Sequence, residues 1–219
     1  MALEELYARG DIKHPTVILE AVASYDRWIW HAFFGVAGAN NDINVLNQSP
    51  LFNEVVDGYA PNVSFKVNGH DYDKGYYLAD GIYPNWPVFM KGIPAPQTFQ
   101  DQHFTRVQAS LRKDVECAFG GLKARFAILS VPGRSYSLRT LSLIMRACII
   151  LHNMIIDDER DLNLDQNYET VDSLVGPAVN NGAPPCLAAR LQADTDMRST
   201  QKYHQLQSDL VQHLYSRGH

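Results

Sequence analysis

The sequence predicts a mixed α/β domain, with strands in its first half and helices in its second. Residues 16–23 and 27–36 are two consecutive runs rich in β-branched and aromatic side chains, the composition that suits a pleated, partly buried surface. From Thr105 onward apolar residues recur at helical rather than strand spacing. Residues 138–156 repeat that helical pattern. With 219 residues and 46% apolar content, the chain has the material for a packed core of ordinary size.

His14 and Pro15 lead into the first run, and Ser24, Tyr25, Asp26 and Arg27 supply turn chemistry before the second, so the two are expected to pair as a hairpin. In the second run both alternating sets are large, Trp28, Trp30 and Phe34 against Ile29 and Phe33. A strand covered on both faces, with its tryptophans in the core, is the expectation. Small residues from Gly35 to Asn41 make a loop, and Asn41 or Asp42 caps a short helix over 42–49. Val63, Phe65 and Val67 alternate ahead of Asn68-Gly69, a strong hairpin signal. Residues 76–79 read as a buried strand that stops at Asp80-Gly81, which leaves a carboxylate at the C-terminal end of a core strand. Pro84, Pro87, Pro94 and Pro96 then divide the chain into loops.

The helix from Thr105 places Val107, Leu111, Val115, Ala118, Phe119, Leu122 and Phe126 on one face, and residues 128–131 read as strand-like before Pro132-Gly133. The helix over 138–156 places Leu141, Ile144, Met145, Cys148, Leu151 and Ile155 along its buried stripe. Residues 162–185 are polar with clustered Gly, Pro and Asn and read as a linker. A polar helix near 198–215 follows as a tail outside the folded domain. The expected organisation is one domain over 1–160, then a linker and helical tail over 161–219.

No stretch reaches the roughly 18 uninterrupted apolar residues of a membrane span, and Glu4, Glu5 and Arg9 stand where a signal peptide needs an apolar run. No membrane partner is expected. Cys117, Cys148 and Cys186 are too scattered for a CxxC knuckle or a disulfide framework and read as reduced thiols. Net charge is −5, which by itself speaks against a polyanionic partner. Its distribution is uneven, however. Residues 1–104 hold 6 Lys/Arg against 12 Asp/Glu, residues 105–146 hold 8 against 2, and residues 161–219 hold 4 against 7. Fields are screened over about 8–10 Å at cellular salt, so the basic element is what a nearby phosphate would feel.

Two carboxylates stand out by position. Asp80 ends a strand, and Glu116 lies on the long helix, four residues after Arg112 and seven before Lys123. A lone helical Glu is ordinarily an ion-pair partner on a solvated face. His152 and Asn153 fall among core residues of the later helix, where such side chains usually satisfy backbone groups. No Ser/His/Asp grouping, phosphate-binding loop or GxGxxG fingerprint points to another enzyme class.

The local sequence around Glu116 is more specific than the lone acid. Arg112, Val115, Glu116, Ala118, Phe119, Gly120, Leu122, Lys123, Arg125 and Phe126 reproduce the pattern RxxVExAFGxLKxRF, which resembles the signature of PIF/Harbinger transposases. Ala79-Asp80 with Tyr83-Pro84 looks like that family's ADxxYP strand end. Residues 38–46, from Gly38 through Asp42 to Leu46, are similar to its PGSxxDxxVL loop, and Ile150-Leu151-His152-Asn153 to its ILHN motif. The resemblance spans residues 15–156 in the family's order. It implies an RNase H-like fold of the DDE transposase type, a mixed sheet with flanking helices. It further implies divalent-metal-dependent endonuclease or strand-transfer chemistry on DNA, with Mg²⁺ or Mn²⁺ as cofactor. Asp80 and Glu116 would be catalytic metal ligands and Asp42 a third ligand, with Arg112, Lys123 and Arg125 as DNA-phosphate contacts. A Myb-like DNA-binding partner and residence in the nucleus, or also the cytoplasm, come with the same resemblance.

One element of the family pattern has no counterpart. Its first catalytic aspartate sits in a motif like IDGTH ahead of the strand that matches residues 16–23, where this chain offers only Glu4, Glu5 and Asp11. The expectation is an N-terminally truncated domain, lacking the first strand of the sheet and inactive for want of one metal ligand. The alternative is a catalytically inert, domesticated or decayed fragment that binds DNA or protein.

Overall fold

Turn chemistry at residues 24–28 sets the register of the longest strand pair. In the computed structural model, which describes residues 8–9, 12–53, 57, 63–132, 137–162 and 186–217, the Ser24 N–H donates to the Trp28 carbonyl at 3.0 Å and the Arg27 N–H to the Ser24 carbonyl at 2.9 Å. Asp26 locks this turn from within, its carboxylate accepting from the Trp28 N–H at 3.2 Å and from the Ser24 hydroxyl. Arg27 adopts the left-handed φ of 70°. A short antiparallel pair, β1 (Ala8–Arg9) with β2 (Ile12–Pro15), precedes the main hairpin of β3 (Val17–Ala23) and β4 (Ile29–Ala37). In that hairpin Glu20 lies opposite Phe33 and Val22 opposite His31.

Where β4 ends, the Gly38 N–H donates to the Thr16 carbonyl at 2.9 Å. A Cβ at Gly38 would lie 1.9 Å from the Thr16 hydroxyl oxygen and 2.9 Å from its carbonyl oxygen. Gly38→Ala is accordingly expected to cost about 1–3 kcal/mol through overpacking. A circular-dichroism melt that leaves the midpoint unchanged would show that the loop yields without cost. Asn41 then caps α1 (Asp42–Gln48), accepting from the Asn44 N–H at 2.9 Å as an N-cap amide does.

The chain divides into two units, Met1–Ser49 with Lys113–Asn167 and Pro50–Arg112 with Tyr168–His219. Each takes chain from both halves of the sequence. The long helix α2 (Phe99–Arg125) gives its first half to the second unit and its remainder to the first. A 3₁₀ turn (Ala127–Ser130) follows. This corrects the strand expected at 128–131: Ile128 and Val131 are exposed and find no ladder partner among the described residues.

The first unit's core joins Ile29 of β4 to Ala118 and Leu122 of α2 and to Cys148 and Ile149 of α3 (Leu138–Leu162), with Leu19, Ala21 and Ala23 packed against them. One face of the hairpin is thereby covered by helices. The other face does not match the expectation of a doubly covered strand, because Trp30 is 70% exposed and β4 has β3 as its only partner among the described residues. Trp30 instead donates its indole N–H to Ser24 Oγ at 2.9 Å and packs beside Trp28 at 5.9 Å. The Arg160 guanidinium lies 5.5 Å from the Trp28 ring.

The stripe on α3 is also rotated from its expected place. Cys148, Ile149, His152 and Ile156 are buried, whereas Leu143, Ile150, Leu151, Met154 and Ile155 are exposed. Polar anchoring explains the rotation: Asn153 and His152 both bond to the backbone of the β3–β4 hairpin, and that pins one face of the helix against it. By length and composition alone α3 is apolar enough to cross a membrane over Leu138–Arg160. A helix carrying core contacts in a globular protein has the same composition.

In the second unit β5 (Phe65–Val67) and β6 (His70–Tyr72) pair antiparallel. Asn68 and Gly69 turn between them at φ of 49° and 86°, the two positive values that a tight hairpin turn requires. Downstream, β7 (Tyr77–Leu78) runs parallel to β8 (Phe89–Met90). Among the described residues no sheet exceeds two strands. Helix α2 begins at Phe99, six positions before the expected Thr105, and buries Phe104 and Gln108 rather than Leu111, which is 53% exposed.

Among the described residues this unit also holds two helices late in the chain, α4 (Leu187–Met197) and α5 (Thr200–Arg217). The expected tail is a structural member of the unit: Tyr203, Leu206, Leu210 and Val211 of α5 form one core with Val67, Met90 and Phe104. Their spacing is that of one helix face. The linker expected at 162–185 lies outside the described residues except for its first position.

Candidate functional site

Asp80 stands where the sequence places it, exposed at the C-terminal end of β7. Four sets of bonds shape its turn. Ala79 N–H donates to the Met90 carbonyl at 3.0 Å, which extends the parallel pairing to the residue before the acid, and Tyr83 N–H donates to the Asp80 carbonyl at 3.2 Å. Gly81 N–H donates to Asp80 Oδ1 at 2.6 Å. Gln108, buried on α2, donates its amide to both the Ala79 and Met90 carbonyls, at 3.0 and 3.1 Å. Lys91 donates to the Tyr83 carbonyl at 2.7 Å and reaches the Gly81 carbonyl at 3.5 Å. Burial lowers the Lys91 ammonium below the usual lysine range.

Sequence reasoning passed over Gln108 and Lys91. The signal for Gln108 was a polar residue four positions after Phe104, on a face that otherwise reads as apolar. Lys91 carried no such signal, because a lysine after a strand is ordinarily solvated.

Glu116 and Asp42 belong to the first unit, and Asp80 to the second. Asp42 is the first residue of α1 and is exposed, where a carboxylate is favourable to the helix dipole whatever else it does. Glu116 is exposed on α2. Among the described residues no three His, Cys, Asp or Glu side chains gather into a metal-holding group. Hard carboxylate oxygens are the donor type that Mg²⁺ and Mn²⁺ prefer, so the residue types fit while a gathered set is absent from the described residues. A different acid, Glu20, has a buried carboxylate oxygen without a hydrogen-bond partner. His31 Nε2 lies 3.8 Å from it and 3.4 Å from Ser49 Oγ.

Lys123 is exposed on α2, and Arg112 is partly buried. Arg125 is committed within the first unit: one of its nitrogens donates to both carboxylate oxygens of Glu159, at 2.7 and 2.6 Å. The other lies 3.3 Å from His152 Nδ1. His152 is fully buried, and its Nε2 lies 3.0 Å from the Arg27 carbonyl oxygen. A carbonyl can only accept and a guanidinium can only donate, so the ring carries its proton on Nε2 and accepts at Nδ1. Asn153 pairs with the backbone of Ile29 in both directions, accepting from its N–H at 3.0 Å and donating to its carbonyl at 2.8 Å. The structural role expected for these two residues is the one they have.

The chain matches, over residues 1–163, the sequence profile of a family described as plant transposon protein. Neither a curated protein nor a solved structure gave a match.

Proposed function

This chain belongs to the plant transposon protein family, and from that premise we propose that it carries the chemistry of a PIF/Harbinger-type transposase domain. The reaction is divalent-metal-dependent cleavage or strand transfer at DNA phosphodiesters, in an RNase H-like arrangement, with Asp80 and Glu116 as principal ligands and Asp42 as a third. The observation that carries this reading is the exposed Asp80 carboxylate at the C-terminal end of the parallel pair β7–β8, where α/β sheets place their sites. Bound Mg²⁺ or Mn²⁺ would supply nucleophile activation and charge neutralisation at the scissile phosphate. The chain's own part is to present carboxylates and, through Lys123 and Arg112, to attract the phosphate backbone. DNA as substrate, a Myb-like partner and nuclear residence belong to the same proposal.

The test is nicking of supercoiled plasmid by the full chain with Mg²⁺ or Mn²⁺, repeated after an upstream segment bearing an Asp-containing strand is fused to it. In the extended protein, activity that disappears with chelator and in Asp80→Ala and Glu116→Ala is the expected result. Activity appearing only in the extended protein restricts the enzyme reading to that longer form. Nicking that survives Asp80→Ala, or none in either form, overturns it.

A second reading is favoured by the basic stretch 105–146, with 8 Lys/Arg against 2 Asp/Glu. In it the chain is a DNA- or protein-binding module without catalysis. Binding to DNA that weakens steeply with salt and ignores chelator is its mark.

A further inference from the structure

We propose that Lys91, held by the C-terminal helix α5, is a positioning residue for the Asp80 turn. This rests on the reading of Asp80 as a metal ligand, although its structural half stands without that reading. The turn after β7 exposes carbonyls that no ladder satisfies, and an ammonium is the group suited to collect several of them at once. Lys91 does so, donating to the Tyr83 carbonyl at 2.7 Å and reaching that of Gly81 at 3.5 Å. Gln108 holds the residue on the other side of the acid through the Ala79 carbonyl, so Asp80 is fixed from both flanks.

What holds Lys91 comes from α5. Gln207 donates to the Lys91 carbonyl at 3.1 Å and to the Tyr203 hydroxyl at 2.9 Å. The Lys91 ammonium lies 5.9 Å from the centre of the Tyr203 ring, within reach of a cation–π attraction. Tyr203 itself is buried in the core of the second unit. The supporting residues therefore lie at 203 and 207, beyond the 1–163 span that matches the family. A segment outside the matched span thus supports the turn that carries Asp80.

The experiment uses the full chain and four variants, Lys91→Met, Lys91→Arg, Gln207→Ala and Asp80→Ala. It reads hydrogen exchange at the Gly81 and Tyr83 amides, Mn²⁺ affinity by electron paramagnetic resonance, and the thermal midpoint as a check on folding. Lys91→Met is expected to speed exchange at these amides about tenfold or more, the loss of a charge-assisted bond. It is expected to weaken Mn²⁺ about 10-fold to 100-fold, as removal of an outer support does. Lys91→Arg should recover most of both, and Gln207→Ala should give a smaller change in the same direction. Unchanged exchange in Lys91→Met overturns the proposal. If Mn²⁺ affinity drops in Asp80→Ala but holds in Lys91→Met, the ligand reading stands and the positioning role fails. If Mn²⁺ affinity is indifferent to Asp80→Ala, the ligand reading fails and exchange alone decides whether Lys91 holds the turn.

Discussion

Replacing His152 with alanine is expected to lower the unfolding free energy by about 3–5 kcal/mol. The ring is fully buried and joins three segments that are distant in sequence. It donates from Nε2 to the Arg27 carbonyl at 3.0 Å, in the turn that closes the β3–β4 hairpin, and accepts from Arg125 at 3.3 Å. Arg125 in turn reaches Glu159 on the same helix as the histidine. Alanine removes the ring volume and leaves the part-buried Arg27 carbonyl and a partly buried guanidinium short of a partner, so cavity and desolvation costs add. The loss is readable as a drop in urea midpoint with an unchanged slope. A change below about 1 kcal/mol would mean that water or a neighbouring side chain takes over both bonds.

The same residue shows what the sequence could and could not reveal. That His152 and Asn153 serve structure was legible, because polar side chains on an apolar helix face have to find partners. Which partners they find was not, since Arg27 and Ile29 are more than 120 positions away. Those partners then decided the rotation of α3, which is why the apolar stripe drawn through Leu151 and Ile155 missed His152 and Ile156. Periodicity identifies a helix; contacts choose its face. The hairpins at 24–27 and 68–69 were legible for the opposite reason, because turn residues act locally. Trp30 was misplaced because composition cannot tell a strand with helices on one face from a strand enclosed on both. At the candidate site, the position of Asp80 followed from a strand run ending in Asp-Gly, whereas its supports at Gln108, Lys91 and Gln207 depend on tertiary packing that no local pattern encodes.

The docking of helix α5, unlike the helix itself, was not legible in its polar composition, and its attachment gives the second large effect. Asp209 is a buried carboxylate that accepts from Asn68 at 3.0 Å, from His70 Nδ1 at 2.8 Å and from the Tyr72 hydroxyl at 2.5 Å. The β5–β6 hairpin is thereby tied to α5 at three points. Burial alone pushes the Asp209 carboxyl up, but the bonds from Tyr72, Asn68 and His70 outweigh it and hold the group below its ordinary value. The Tyr72 hydroxyl is pushed up, by burial and then by its bond to Asp209, so it stays a donor. A depressed folded-state pKa contributes stability that is complete above the unfolded value near 3.8 and is lost as pH falls through the folded one. Wild-type stability is therefore expected to decline as pH drops below about 4–5, with Asp209→Asn showing a flatter acid limb in urea unfolding. Asp209→Ala at neutral pH is expected to cost about 3 kcal/mol, because three donors lose their acceptor together. Acid limbs that run parallel in wild type and Asp209→Asn would show that Asp209 contributes no linkage. A cost for Asp209→Ala near zero would show in addition that the hydrophobic contacts of Tyr203, Leu206 and Leu210 suffice to hold the helix.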